Sequence, residues 1–161
     1  SAWTLSSIPQ VTWHSGFRGV ILSYAKSPNE DLYYMNPLTL EWLDKAAGDL
    51  ATARRELRVR SRPNYDAVCF HAQQSVEKAL KAVLQENNIN IPKTHQLMDL
   101  LALCSKFDGT YLMLQADLMS LEGYAVMFRY PGQSANKAEA RAASKAAEMA
   151  CMFIKNKLGA P

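Results

Sequence analysis

His71, Gln74, Lys78 and Lys81 recur at spacings of three and four residues within YDAVCFHAQQSVEKALKAVLQENN, residues Tyr65 to Asn88. At about 100° per residue these four, with Gln85, fall on one stripe of a helix. A second set of polar side chains, Arg129 and Tyr130, stands in FRYPG at Phe128 to Gly132. Neutral imidazole donates or accepts a hydrogen bond, whereas ammonium and guanidinium groups only donate and favour anionic oxygens. Such a set suits a phosphate, a nucleotide or an RNA backbone. His71, Gln74, Lys78, Lys81, Arg129 and Tyr130 are therefore the candidate nucleotide- or phosphate-binding residues. The plain alternative is a solvated helix face on which Glu77 and Lys81 form an ordinary i, i+4 pair.

Other chemistries find no support in residue type and spacing. The chain has no GxxxxGK[ST] phosphate loop, no HExxH and no DxD. No Ser/His/Asp order can be assembled, and the polar stripe lacks the paired carboxylates of a di-metal helical bundle. No metal site and no cofactor are expected, and no catalytic residue is assigned. Cys69, Cys104 and Cys151 are far apart, without a CxxC or Cys/His cluster. Each sits in an apolar helical context and reads as a buried thiol, in keeping with a reducing cytoplasm.

The elements that must carry the polar stripe are helical. Opposite it on the same helix lie Val68, Ala72, Ser75, Val76, Ala79, Leu80, Ala82 and Val83, a broad apolar arc that makes this a core helix. A preceding helix starts at Asn36-Pro37, a capping side chain followed by proline in the first turn, and runs to about Arg60. Leu40, Leu43, Ala47, Leu50, Ala51 and Leu57 are its expected core face. Arginines at 54, 55, 58, 60 and 62 crowd its end, where cations suit the helix dipole. Asn87 to Pro92 stops the central helix. Thr94 is the expected cap of a short third helix, HQLMDLLALCSK, with His95 in its first turn. A fourth, Leu- and Met-rich helix is expected from about Thr110 to Phe128. A fifth runs from Ser134 or Asn136 to Leu158, with Lys137, Arg141 and Lys145 as a basic row.

The implied fold class is all-α: an antiparallel up-and-down bundle of four long helices plus one short one. Residues 1–34 lack helical period and read as a non-helical N-terminal arm ahead of a bundle domain at 35–161. Trp3, Trp13, Phe17, Val20, Ile21 and Leu22 make the arm too apolar to stand free in water. A chain of 161 residues with 48% apolar and 20% charged residues is long enough for one real core. A net charge of +3 permits an anionic partner without demanding one. No apolar run reaches the ~18–20 residues of a membrane-spanning helix.

FHAQQSVEKALKAVL (70–84), WLDKAAGDLATARREL (42–57), KTHQL (93–97) and FRYPG (128–132) together resemble the HEPN domain family, over roughly Pro37 to Leu158. The resemblance implies an all-α bundle, frequent homodimers, and prokaryotic genes beside a minimal nucleotidyltransferase as a toxin–antitoxin pair. Many members look like metal-independent ribonucleases, whose signature is an Arg, four to six residues, then a His, which activate the ribose 2′-hydroxyl. This chain departs from that signature. Arg129 is followed by Tyr130, no histidine occurs after His95, and Arg62 lies too far from His71. The expected function is a cytoplasmic, dimeric HEPN-like domain that binds a nucleotide or RNA phosphates. The alternatives are a ribonuclease toxin, with His71 supplying a base from another helix, and a non-catalytic module that pairs with a nucleotidyltransferase-like partner.

Overall fold

The computed structural model describes residues 34–128 and 130–160. The N-terminal arm, apart from Tyr34, lies outside the described residues, as does Arg129. Met35–Pro161 forms a compact unit by itself. Its elements in chain order are α1 (Pro37–Leu57), α2 (Tyr65–Glu86), α3 (Leu97–Phe107), a 3-10 turn (Gly109–Leu114), α4 (Gln115–Leu121), α5 (Tyr124–Met127) and α6 (Lys137–Leu158). Among the described residues there is no strand. The fold is the expected all-α bundle.

α2 is the centre. It packs against α1, α3, α5 and α6, and its buried positions run most of the way round the helix, from Val68 and Cys69 to Val83 and Leu84. Leu97, Leu100, Leu101 and Cys104 of α3, Leu118 and Leu121 of α4, and the alanines and Ile154 of α6 complete the core. α1 lies antiparallel to α2 and is pinned at both ends: Asn36 N–H donates to Glu86 Oε2 at 3.1 Å, and Asn64 N–H donates to Glu56 Oε1 at 2.6 Å. The face of α1 differs from the expected one. Thr39, Ala46 and Ala53 are its buried residues, seven apart, whereas Leu40 is 42% exposed. Small residues at that spacing let α1 approach α2 closely. This brings Asp49 and Trp42 into the seam.

Most helix ends follow local rules. Asn36 Oδ1 accepts from Leu38 N–H at 2.9 Å and Asn64 Oδ1 from Ala67 N–H at 3.0 Å. Asn136 and Glu139 close a capping box on α6. Asn88 takes the left-handed conformation at the α2 stop (φ 54°). α1 ends at Leu57, about one turn earlier than expected.

Two expectations need correction. The continuous helix over 110–128 is broken into a 3-10 turn and two short helices, because Gly123 adopts φ +89° between Leu121 and Tyr124. Thr94 does not cap α3. Its hydroxyl accepts from Gln96 N–H at 3.1 Å, one residue too early. The α3 N-terminus is capped from the break itself: Glu122 accepts from Leu97 N–H at 3.2 Å and from Met98 N–H at 3.0 Å. A carboxylate there satisfies two donors that lack helical acceptors and complements the helix dipole. Buried Gln73 ties the same break to α2, its Oε1 accepting from Ala125 N–H at 2.5 Å and its Nε2 donating to His95 O at 3.4 Å.

Burial pushes the Cys69 and Cys104 thiols from 9.0 up to about 12, and the Tyr111 phenol from 10.0 up to about 12. Because folding raises these values, the unfolded chain releases its protons first as pH rises. Their contribution to stability is complete below about pH 9 and is lost as pH rises through about 12. The urea midpoint should therefore hold steady up to about pH 8.5 and fall steeply above about pH 9.5; a midpoint unchanged at pH 11 would contradict this. Glu122→Ala should lower unfolding free energy by about 1–2 kcal/mol by uncapping α3, read from the same denaturation curves.

Candidate functional site

The polar stripe of α2 divides into two linked clusters. In the first, Asp49 of α1 lies between two residues of α2 that are two helical turns apart. His71 Nδ1 is 2.8 Å from Asp49 Oδ1, and Lys78 Nζ donates to Asp49 Oδ2. An antiparallel neighbour can bridge positions seven apart because they share a face. With the carboxylate accepting at Nδ1, His71 has Nε2 as its remaining ring nitrogen. Lys78 uses one N–H on Asp49 and has two more. The side chains of His71 and Lys78 are 28% and 26% exposed, so both reach solvent.

The second cluster is centred on Glu77, whose side chain is 4% exposed. Its Oε1 accepts from Lys81 Nζ at 2.8 Å and lies 3.0 Å from His95 Nδ1. Its Oε2 accepts from Gln74 Nε2 at 3.1 Å. Lys81, itself 9% exposed, places its ammonium 5.7 Å from the ring centroid of Trp42. A carboxylate this buried needs both a counter-charge and hydrogen bonds, and Glu77 has both.

The structure thus brings together four of the six residues singled out from sequence. Lys81 is not solvated; it is sealed between Glu77 and Trp42. Tyr130 stands 69% exposed beyond α5, and none of its contacts among the described residues reaches either cluster. Arg129 lies outside the described residues. The residues that organise the clusters, Asp49, Glu77 and His95, are not among the candidates that residue type and spacing single out. Asp49 carries a legible signal: it is a carboxylate amid small apolar residues, AAGDLA, on the helix that must pack against the stripe. His95 carries none, because it reaches Glu77 through the loop between α2 and α3.

Beside the first cluster, Phe70 meets His71 edge-on, with ring centroids 5.2 Å apart. Phe70 also lines a shallow hollow of about 260 Å³ together with Asn64, Asp66, Ala67, Tyr124 and Phe128. Tyr124 and Phe128 stack at 5.4 Å with their planes 26° apart. They also form one wall of a second, open hollow of about 580 Å³ that reaches Gly132, Gln133 and Ser134. Burial, followed by the charges of Cys69 and Glu139, raises the Tyr124 phenol above its ordinary value. Among the described residues, no group of three or more His, Cys, Asp or Glu side chains is placed to hold a metal ion. No described helix is long and apolar enough to cross a membrane.

A central helix wrapped by its neighbours, with a carboxylate-organised polar seam against the first helix, defines the class: a helical-bundle domain with an interior ionic network. The HEPN domain profile matches residues 39–157. The chain belongs to the HEPN domain family. Among solved structures it is similar to TT1696 from Thermus thermophilus, at 27% identity and a TM-score of 0.64, over 74% of this chain and 97% of that one. No curated protein matches the chain.

Removing the acceptor at the centre of the second cluster tests how far it is a buried pair. Glu77→Ala leaves Lys81 without its counter-charge and should cost about 3–5 kcal/mol of unfolding free energy in urea. A loss below about 1 kcal/mol would mean that the pair is solvated and structurally minor.

Proposed function

We propose that this HEPN domain binds phosphate groups of a nucleotide or RNA at the His71–Asp49–Lys78 end of the polar seam. The observation that carries the reading is the contrast between the two clusters. Lys81 and Glu77 are sealed and neutralise each other, a structural arrangement. His71 and Lys78 reach solvent, share one anchoring carboxylate, and keep an imidazole nitrogen and two ammonium donors unengaged. A phosphate can take those donors while Asp49 continues to hold the side chains in place. Gln74, engaged with Glu77, fixes the floor between them. Arg129 and Tyr130 belong to this proposal as donors on the family's FRYPG segment.

Binding without the family's ribonuclease chemistry is the preferred form of this reading. The histidine of the Arg–His signature would fall at residues 134–136, which are Ser, Ala and Asn. Asn136 is moreover engaged in capping α6, accepting from Ala138 N–H at 2.8 Å and Glu139 N–H at 3.0 Å.

A second reading, an interaction module, is favoured by a separate observation. Leu112, Met113, Met119, Val126 and Met127 are 45–76% exposed along the broken segment between α3 and α6. Adaptable, methionine-rich apolar surface suits a protein partner. A second copy of the chain or a nucleotidyltransferase-like protein of a toxin–antitoxin pair would occupy it.

The phosphate reading is tested by fluorescence anisotropy with a labelled single-stranded RNA hexamer over a range of salt. Lys78→Gln should weaken binding and flatten the slope of log affinity against log salt by about 0.7, the loss of one phosphate contact. Asp49→Asn should tighten binding by about fivefold, because a negative charge beside the phosphate is removed, even as it lowers stability. Absence of binding at millimolar nucleotide and RNA, or weaker binding by Asp49→Asn, would overturn the reading.

A further inference from the structure

We propose that the hollow beside Phe70 is a nucleobase subsite, so that the ligand of the polar seam is single-stranded RNA seated by a base as well as by its phosphates. This rests on the phosphate-binding reading above and adds a site to it.

Three observations converge on the hollow. The first is its walls. Phe70, Tyr124 and Phe128 are drawn from two elements, and the near-parallel Tyr124–Phe128 pair presents a flat aromatic surface. Aromatic faces of this kind take up bases because every base has a π-face. The second is charge. Asp66 borders the hollow, and the larger hollow beyond the aromatic pair has Glu122 and Glu139 on its walls. Carboxylates repel a phosphate and accept hydrogen bonds from amino groups, so this end of the cleft takes the base and leaves the phosphate to His71 and Lys78. Asp66 Oδ1 accepts from Ala135 N–H at 2.6 Å, which holds the side chain still while Oδ2 remains for a ligand donor. Asn64 has its Oδ1 on Ala67 N–H at 3.0 Å and its amide NH₂ at the rim. One acceptor beside one donor matches the amino group and ring nitrogen of adenine or cytosine.

The third observation is continuity. Phe70 lines the hollow and touches His71 edge-on. Lys78 follows His71 on the same face at about 10 Å along the helix, by the 1.5 Å rise per residue. A base in the hollow therefore sets its own phosphate near His71 and leaves Lys78 for a later one. A mononucleotide fills only the first part of this track, which is why a strand is the fitting ligand.

The experiment compares three hexamers of equal length and charge with the full wild-type chain: oligo-A, oligo-U, and an oligomer of abasic units. Oligo-A should bind about tenfold tighter than the abasic hexamer, the contribution of a stacked base, and tighter than oligo-U. Tyr124→Leu should remove most of that tenfold preference and leave the abasic affinity unchanged. Asp66→Asn, which keeps an oxygen for Ala135 N–H but turns Oδ2 into a donor, should shift preference from oligo-A towards oligo-U. Equal wild-type affinity for oligo-A and the abasic hexamer, with Lys78→Gln still flattening the salt slope, would overturn the base subsite alone. Absence of binding by every hexamer would overturn both the subsite and the phosphate reading. The wild-type comparison decides the matter even if Tyr124→Leu folds poorly.

Discussion

A carboxylate buried inside a helical bundle must be neutralised and hydrogen-bonded, or the helix that carries it cannot be central. Glu77 is that carboxylate, and much of the local architecture answers to it. Lys81 supplies the charge from one turn further along α2, Gln74 supplies an N–H from one turn before, and His95 closes the remaining side from the α2–α3 loop. Trp42 of α1 covers the Lys81 ammonium, which requires α1 to lie tight against α2. Tight approach requires small residues on α1, and Thr39, Ala46 and Ala53 provide them. Once α1 is so placed, Asp49 falls between His71 and Lys78 and the second polar cluster follows. The solvent-reaching donors are thus held in place by an interior network that never meets a ligand.

The same economy governs the break between α4 and α5. Glu122, Gly123 and Gln73 join three elements at one point: the α3 N-terminus, the start of α5, and the buried side of α2. The aromatic pair Tyr124–Phe128 is positioned by that junction. Both the polar seam and the aromatic hollow therefore depend on α2, one along its α1 face and the other at its first turns.

Much of the fold is legible in the sequence because helix signals are local. The apolar arc of Tyr65–Asn88, the Asn36-Pro37 and Asn136 starts, and the Asn87-Asn88 stop all act within a few residues. What escapes is non-local. The leucines of α1 suggest one core face, but close helix approach selects its alanines and leaves Leu40 exposed. The Leu and Met content over 110–128 suggests one helix, although Gly123 is visible in LEGYA; nothing local says that Glu122 should cap a helix some 25 residues earlier. The stripe residues His71, Gln74, Lys78 and Lys81 can be named from spacing. Their division into a sealed pair and an open pair cannot, since it depends on Asp49 and His95, which arrive from other elements. The FRYPG segment draws attention through its residue types, yet spacing alone says nothing of the aromatic wall formed by Tyr124 and Phe128.

If His71 and Lys78, held by Asp49, receive an RNA strand whose base enters beside Phe70, one titration should report all of these contacts together. Nuclear magnetic resonance of the side chains, followed as a short single-stranded RNA is added, provides it. The His71 ring, the Lys78 ammonium and the aromatic protons of Phe70 and Tyr124 should shift together with one saturating affinity, while Lys81 and Glu77 stay unmoved. Shifts confined to other surfaces, or movement of Lys81 and Glu77 in place of His71 and Lys78, would contradict such a binding mode.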